Sequence, residues 1–198
     1  MTRPIFPLFN SHLDLAHSYW MKTVHHGDTV IDATCGNGHD TLLLAQLALN
    51  AEKGALYALD IQEDAIRNTK ELLEVDLPPH YQKRVHILQQ CHSEFPKEIL
   101  PESVKLIVYN LGYLPGGDKN VTTRLQTTVQ SLEAAMALLT HKGCISVTAY
   151  PGHPEGAVEE QELIKLFEKL DKATWSCCHH CWLNRKETAP SLFLLQKA

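Results

Sequence analysis

Residues 30–41 restrict the fold of this chain more than any other segment. Their sequence is VIDATCGNGHDT: a short β-branched apolar run, then Gly36 and Gly38, followed by apolar residues at helical spacing over 42–48. A strand, a glycine turn and a helix in this order bring bare backbone and a positive helix end close to a ligand. The segment therefore predicts a ligand-binding edge of a parallel α/β sheet.

A second apolar segment, GALYALD, ends at Asp60. An acid at this distance from a glycine turn typically accepts hydrogen bonds from ribose hydroxyls. Gly36 and Gly38 alone are weak evidence, because two glycines can also form a tight connection between a strand and a helix. Together with Asp60, they predict a site for a cofactor that contains a nucleoside.

The residues after Gly38 distinguish between such cofactors. A dinucleotide-binding turn needs a third small residue three places after its second glycine, where the pyrophosphate meets the helix. Thr41 occupies that position, and Asp40 lies beside it in the first helical turn. A carboxylate there suits the helix dipole but not a phosphate. We therefore predict a cationic cofactor without phosphates, S-adenosylmethionine.

Length and composition indicate one globular domain. The 198 residues suffice for a single core, so we expect one domain over 1–198, with an N-terminal arm and helix over 1–26. The chain lacks the run of about 18 apolar residues that a membrane span needs. Polar residues also interrupt its beginning, where a signal peptide needs an apolar core. We expect a cytoplasmic protein without membrane association.

Net charge and cysteine spacing bear on two possible functions, nucleic-acid binding and metal binding. The net charge of −5 gives no sign of a nucleic-acid-binding protein, although a local basic patch remains compatible with it. The run CCHHC at 177–181 has CxxC spacing, but it falls in a predicted strand, where neighbouring side chains point to opposite faces. A structural zinc site also needs a second pair of ligands held on a turn. We predict no metal site.

Strand and helix patterns alternate along the chain. The predicted strands are 29–31, 54–60, 85–91, one within 103–115, 144–150, 174–183 and 191–196. The predicted helices are 12–24, 39–50, 62–75, 122–140 and 157–170. This alternation predicts an α/β fold with a doubly wound, mostly parallel sheet, and the last two strands, with no helix between them, must form an antiparallel hairpin.

The loop after the fourth strand is NLGYLPGGDK, residues 110–119. Its start resembles the Asn-Pro-Pro-Tyr motif of amino-group methyltransferases, with Leu111 and Gly112 in place of the prolines. In those enzymes the Asn side chain and a backbone carbonyl accept hydrogen bonds from the target nitrogen, which orients its lone pair, and the aromatic residue packs on the substrate. Asn110 and Tyr113 are therefore candidate catalytic residues, and a simple turn with a buried Tyr113 is the alternative.

The loop PGHPEG after the fifth strand contains His153, a candidate general base. An imidazole with a near-neutral pKa can remove a proton from an ammonium substrate. The neighbouring glycines and Pro154 equally suit a simple turn. Asp118 is the competing candidate, and an amine that arrives neutral needs no base.

DATCGNGHDT, ALDIQ, NLGYLPGGDK and YPGHPEG in this order resemble a small bacterial family long labelled rRNA methylases, within the class I methyltransferase superfamily. The resemblance runs from about residue 12 to the end. It implies a seven-stranded sheet whose last strand lies antiparallel beside the fifth. It also implies methylation of the aminomethyl group on the wobble uridine of tRNA, which completes 5-methylaminomethyl-2-thiouridine.

The resemblance implies roles for single residues. The methionine part of the cofactor is expected to contact Asp32, Gly36, Asn37 and Gly38, the ribose Asp60 and Gln62, and the adenine Cys91 and His92. Asp40 and Thr41 are further candidates for cofactor binding. The residues expected near the tRNA anticodon loop are Gly117, Asp118, Lys119, Arg124, Arg185 and Lys186, with the cations available for phosphates. The segment around Asn10 and His12 is a candidate to close over the cofactor.

Three alternatives stay open at this point. The substrate could be rRNA or a small amine; the protein could be an NAD(P)-dependent oxidoreductase; or it could be a non-catalytic adapter. The residues after Gly38 argue against the second. A chain without an added RNA-binding domain is also expected to need a homodimer to hold tRNA.

Overall fold

The computed structural model describes residues 6, 8, 10–114, 116 and 122–198. Seven strands form one sheet in the order β3–β2–β1–β4–β5–β7–β6. The strands are β1 (Thr29–Asp32), β2 (Ala55–Asp60), β3 (Val85–Gln89), β4 (Val104–Asn110), β5 (Leu139–Ala149), β6 (Trp175–His180) and β7 (Ser191–Lys197). The helices are α1 (His12–Thr23), α2 (His39–Ala48), α3 (Glu63–Asp76), α4 (Pro79–Gln82), α5 (Leu125–Leu138) and α6 (Pro154–Glu168).

The first five strands are parallel, and β7 pairs antiparallel with both β5 and β6. The predicted doubly wound sheet is therefore confirmed, including the hairpin and the place of the last strand beside the fifth. The strand order reverses at β1, because β2 lies on one side of it and β4 on the other. Ligands of such sheets bind in the crevice at this reversal, beyond the carboxyl ends of the strands.

Helices cover both faces of the sheet. On one face, Trp20 of α1 and Leu44 of α2 pack with Leu73 of α3 against the sheet. On the other face, Leu132 of α5 and Phe167 of α6 do the same. Because both faces are covered, residues 106–109 of β4 and 143–149 of β5 are buried without alternation between the two faces.

The N-terminal helix α1 has a complete capping box. The Ser11 side chain accepts a hydrogen bond from the Asp14 N–H, and the Asp14 carboxylate accepts one from the Ser11 N–H. The cap fixes the first turn, and burial of Ala16 and Trp20 fixes the face that α1 turns toward the sheet. The first residues of α1 therefore lie at the ligand-binding edge. None of the helices in the described part of the chain has the length and hydrophobicity of a membrane span.

One boundary prediction is corrected, and a short helix is added. The helix predicted over 122–140 is shorter, because Thr122 forms a bridge with Tyr113 and β5 already begins at Leu139. The segment between the predicted helix 62–75 and the predicted strand 85–91 contains the short helix α4, which begins at Pro79. Proline suits a first helical position because its missing N–H would have no partner there.

Candidate active site

The carboxyl ends of β1, β2, β4 and β5 meet the start of α1 at one edge of the sheet. Three strands end there in polar residues, Asp32, Asp60 and Asn110. The glycine turn between β1 and α2 lies in the middle of this edge. The structure therefore brings the predicted site residues at these strand ends together at one edge, and the contacts below define the parts of this candidate site.

The glycine turn has a shape that only glycine adopts easily. Gly36 and Gly38 have φ angles of 53° and 85°. A Cβ atom on Gly38 would lie 2.9 Å from the Thr69 Cα atom on α3. The Thr69 hydroxyl also donates a 3.0 Å hydrogen bond to the Gly36 carbonyl. Helix α3 thus packs directly on the turn and fixes its backbone.

Asp60 joins the turn to the end of β2. Its Oδ2 accepts a hydrogen bond from the Gly36 N–H at 3.1 Å, and its Oδ1 accepts one from the Gln62 N–H at 3.0 Å. Burial raises the pKa of this half-buried carboxyl, while those backbone hydrogen bonds oppose the increase. Asp60 is therefore in direct contact with two other predicted cofactor residues, Gly36 and Gln62.

Asp32 and Thr41 do not reach the open side of the turn. Both side chains are buried, and the Thr41 hydroxyl donates a 2.6 Å hydrogen bond to the Asp32 carboxylate. Burial and the nearby charge of Asp40 raise the pKa of Asp32 to about 7. The hydrogen bonds from the Thr41 hydroxyl and the Thr34 N–H act in the opposite direction and lower the pKa. The predicted cofactor contact of these two side chains is thus replaced by a structural role inside the turn.

The other predicted cofactor residues differ in exposure. Asn37 is half-buried, and its Oδ1 accepts a 2.9 Å hydrogen bond from Asn68 of α3. Cys91 is also half-buried beyond the end of β3. His92 is instead buried beside the Tyr109 ring, and this burial lowers the pKa of His92 to about 4. The His92 side chain is therefore not exposed at the site edge, and its contact with the adenine stays a prediction.

Asn110 connects three elements of the site. Its backbone N–H donates a 2.7 Å hydrogen bond to the Thr34 hydroxyl, which lies in the glycine turn. Its side-chain Nδ2 donates a 2.6 Å hydrogen bond to Oδ2 of Asp40, in the first turn of α2. Its Oδ1 is buried and has no hydrogen-bond partner among the residues that the structure describes. Asn110 thus carries a fixed amide with one unused acceptor.

Helix α1 contributes two histidines: His12, in the segment predicted as a candidate to close over the cofactor, and His17, for which the sequence predicted no role. His17 Nε2 lies 2.7 Å from Oδ1 of Asp40, and His12 Nε2 lies 2.9 Å from the hydroxyl of Tyr150, just after β5. Arg185, between β6 and β7, also donates a 2.8 Å hydrogen bond to the Asn10 carbonyl. The N-terminal segment therefore lies across the site edge, where the sequence suggested that it could close.

The structure explains why the loop after β4 lacks the two prolines of the amino-group methyltransferase motif. Gly112 has a φ angle of 128°, which proline cannot adopt, and Leu111 is buried. The Gly112 N–H donates a 2.9 Å hydrogen bond to the Thr123 hydroxyl, which closes the base of the loop. Tyr113 is 40% exposed at the rim, contrary to the alternative of a buried tyrosine.

His153 has a structural role that opposes its predicted function as a base. It is the N-cap of α6, and its Nδ1 accepts a 3.1 Å hydrogen bond from the Gly156 N–H. Because Nδ1 is the acceptor, the proton of the neutral ring is on Nε2, and neither nitrogen has a lone pair ready for a substrate proton. The competing candidate, Asp118, lies outside the described residues, as do Gly117 and Lys119.

The basic residues at this edge are on the surface. Arg124 immediately precedes α5 and is exposed, as are Arg185 and Lys186. The Arg185 guanidinium stacks 3.6 Å from the centroid of the Trp182 ring. In CCHHC, the closest sulfur–nitrogen pair is Cys181 with His179 at 3.3 Å, and the described residues contain no cluster of three metal-binding side chains.

The charges around the glycine turn fit a cation better than a phosphate. Asp32, Asp40 and Asp60 converge there, and residues 33–41 include no Lys or Arg. The half-buried Asp60 carboxylate offers acceptors suited to ribose hydroxyls. The site chemistry therefore fits a nucleoside with a positively charged sulfur.

A family model described as "Putative rRNA methylase" matches residues 56–196. The chain belongs to this family. It is also 40% identical over 190 residues to "tRNA (mnm(5)s(2)U34)-methyltransferase, chloroplastic" of Arabidopsis thaliana, an alignment that covers 93% of this chain and 69% of the relative. The resemblance stated from the sequence motifs is thus confirmed.

Two solved structures are similar to this rRNA methylase family member. A "putative rRNA-methylase" from Clostridium thermocellum is 36% identical, with a TM-score of 0.89 over 96% of this chain and 99% of that one. A "putative methyltransferase" from Streptococcus mutans in complex with SAH is 26% identical, with a TM-score of 0.82 over the same shares. The predicted methyltransferase class and class I fold are confirmed, which sets aside the oxidoreductase and adapter alternatives.

The family model matches residues 56–196, so its match includes neither His17 nor the glycine turn. The sequence did not indicate His17 or the contact of His12 with Tyr150, because a histidine in a helix carries no local signature of its partner. The one available signal was the capped start of α1, which fixes the position of His12 in the first turn.

Proposed function

We propose that this protein methylates the aminomethyl nitrogen on the wobble uridine of tRNA, converting 5-aminomethyl-2-thiouridine to 5-methylaminomethyl-2-thiouridine. The observation that carries the proposal is Asn110, whose amide is held by Asp40 and keeps one buried acceptor unused among the described residues. The Arabidopsis relative is named for a modification of the same type at U34, which supports this choice of substrate.

S-adenosylmethionine is the cofactor of this methyltransferase. It supplies a methyl group on a positively charged sulfur. We assign its ribose to the Asp60 carboxylate, which is already oriented by the N–H groups of Gly36 and Gln62. The backbone of Gly36 and the half-buried Asn37 are placed to contact its methionine part.

Asn110 suits a nitrogen nucleophile because its Oδ1 is an acceptor and an amine is a donor. A hydrogen bond from the amine to Oδ1 turns the nitrogen lone pair away from Asn110 and toward the methyl group. Holding the reacting atoms in this orientation lowers the barrier substantially, because their translational and rotational freedom is already lost when the substrate binds. Tyr113, at the exposed rim, is placed to pack on the uridine ring.

The absence of a ready base at His153 has a consequence for the amine. An ammonium group has no lone pair, so the nucleophile must be bound as the neutral amine or lose its proton to another group. Direct displacement by a neutral amine needs position and desolvation from the protein, which Asn110 and its buried surroundings provide.

The RNA-binding surface is proposed from Arg124, Arg185 and Lys186, which lie exposed at or beside the site edge. Phosphate contacts from such side chains position RNA without reading its sequence. A homodimer, and a cytoplasmic location, stay predictions; the name of the Arabidopsis relative places that protein in the chloroplast.

Two variants test the proposal on tRNA isolated from cells that lack this enzyme. Asn110→Ala should slow methyl transfer and spare cofactor affinity, whereas Asp60→Ala should weaken cofactor binding in calorimetry. Asn50→Ala is the matched control, because Asn50 caps a turn at the opposite edge of the sheet. Unchanged cofactor affinity in Asp60→Ala would refute the ribose assignment.

Nucleoside mass spectrometry separates the proposed substrate from the rRNA in the family description. The expected product is the methylaminomethyl nucleoside in tRNA, with the aminomethyl precursor accumulating in the deletion strain. Methyl incorporation into rRNA and none into tRNA would overturn the proposal and favour the family description.

A further inference from the structure

The side chain of asparagine can present either its oxygen or its amino group, depending on a half-turn of the amide. For Asn110 the two orientations have opposite consequences. With Oδ1 toward the substrate it accepts a hydrogen bond from an amine; with Nδ2 there, two donors would face each other. The proposed reaction therefore requires that the Asn110 amide be fixed in one orientation.

Asp40 provides this constraint. Its Oδ2 lies 2.6 Å from Asn110 Nδ2, and an ionised carboxylate can only accept hydrogen bonds. Rotating the Asn110 amide would place two oxygens in contact and lose the bond. The carboxylate thus selects the orientation in which Asn110 Oδ1 points away from Asp40.

His17 in turn holds the carboxylate. Its Nε2 lies 2.7 Å from Oδ1 of Asp40, so Nε2–H is the donor. The imidazole packs against the buried Trp20 ring, with centroids 4.8 Å apart, and this contact fixes the ring from behind. Side chains from α1, α2 and β4 are therefore linked in one chain of hydrogen bonds that ends at Asn110.

This arrangement conflicts with a direct cofactor contact for Asp40, which the sequence motifs suggested. One carboxylate oxygen is bonded to His17 and the other to Asn110. Asp60 differs, because its oxygens are bonded only to backbone N–H groups beside the glycine turn.

We propose that Asp40 and His17 are positioning residues, which hold the Asn110 amide with Oδ1 toward the substrate nitrogen. The inference rests on the proposed function of Asn110. It makes helix α1 a part of the active site, although His17 has no contact with the reacting atoms.

Asp40→Asn is the central variant. It keeps the size of the side chain but replaces one acceptor with a donor, so the Asn110 amide is no longer restricted to one orientation. His17→Ala removes the donor to the carboxylate, and His17→Gln restores a donor at a similar reach. Asp64→Asn is the matched control, because Asp64 is an exposed carboxylate in the first turn of α3.

The measurements are the single-turnover rate with tRNA that carries the unmethylated aminomethyl group, the affinities for S-adenosylmethionine and tRNA, and the melting temperature. We expect Asp40→Asn and His17→Ala to slow transfer by about 10- to 100-fold, since small misplacements of reacting groups have effects of this size. Both affinities should stay within about threefold, because neither residue contacts cofactor or substrate. His17→Gln should recover most of the rate, which a merely structural loss would not do.

A double variant separates this inference from the proposed function. If Asp40 acts through Asn110, then Asp40→Asn should have no further effect in an Asn110→Ala background, to within about twofold. A slow Asn110→Ala with a fully active Asp40→Asn, or with additive losses, would overturn the positioning role alone. Loss of cofactor affinity in Asp40→Asn would show that Asp40 is a cofactor ligand instead. A fully active Asn110→Ala would overturn the proposed function and this inference with it.

Discussion

The hydroxyl of Thr128 on α5 donates a 2.6 Å hydrogen bond to the carboxylate of Glu159 on α6. The other Glu159 oxygen accepts a 3.0 Å hydrogen bond from Thr123, whose hydroxyl also accepts the Gly112 N–H. Glu159 is only 4% exposed, and its burial raises the pKa of its carboxyl. A buried acid on α6 therefore holds the base of the loop that follows Asn110.

Replacing Glu159 with alanine should destabilise the protein and disturb that loop. The buried Thr128 hydroxyl and the half-buried Thr123 hydroxyl lose their acceptor, and loss of a buried partner typically costs about 1–3 kcal/mol. Urea denaturation measures the free energy of unfolding, and Glu162→Ala, at a more exposed position of the same helix, is the control. An equal effect of both variants would mean that the Glu159 network contributes nothing.

Gly38→Ala should be more harmful than Gly116→Ala, although both glycines have a φ angle of 85°. The positive φ angle costs each variant about 1–2 kcal/mol. Of these two glycines, only Gly38 has a close neighbour among the described residues, Thr69, whereas a Cβ on Gly116 meets none of their atoms within 4 Å. Overpacking adds about 1–3 kcal/mol. Thermal unfolding and cofactor titration should both single out Gly38→Ala, and equal melting temperatures would contradict the close packing of α3 on the turn.

The stability of the protein should depend on Asp32 through pH. Burial raises the pKa of Asp32 to about 7 in the folded state, above an unfolded value of about 3.9. A group with a raised folded pKa stabilises fully below the unfolded pKa, and this contribution is lost as the pH rises through the folded pKa. The wild type should therefore lose stability relative to Asp32→Asn between about pH 4 and pH 8. Urea denaturation across this range tests it, and parallel curves would exclude the raised pKa.

Arg185→Gln should weaken tRNA binding in a salt-dependent manner. If this exposed guanidinium contacts one phosphate, its loss should lower the slope of log affinity against log salt by about one. Arg84→Gln is the control, because Arg84 lies at the opposite edge of the sheet, beside the Ala51 carbonyl. Identical slopes for wild type and Arg185→Gln would remove Arg185 from the RNA-binding surface.

The sequence was sufficient to predict the sheet and the glycine turn because both depend on the order of apolar residues and glycines within short segments. The glycine turn and the acid at Asp60 both belong to residues 29–60, which form one strand–helix–strand unit. The hairpin followed from the missing helix before β7. These features need no knowledge of distant contacts.

The rest of the site depends on contacts between distant residues. His12 is hydrogen-bonded to Tyr150, which is 138 positions away in the sequence, and neither residue type indicates such a partner. Within the turn, composition could not distinguish Asp32, which faces inward, from Asp40, which faces Asn110. The loop sequence alone could not show that His153 caps α6, because this role is visible only from the hydrogen bond that the Gly156 N–H donates to His153 Nδ1.

The position of β7 between β5 and β6 affects how the protein is made. During synthesis from the N-terminus, β5 keeps an open edge and β6 has no neighbour until Ser191–Lys197 leaves the ribosome. All the residues assigned to cofactor binding precede that moment. Newly made chains thus carry a nearly complete cofactor site on an unfinished sheet, with an exposed edge open to aggregation. Premature stop codons upstream of β7 should therefore yield insoluble protein rather than a weakened enzyme.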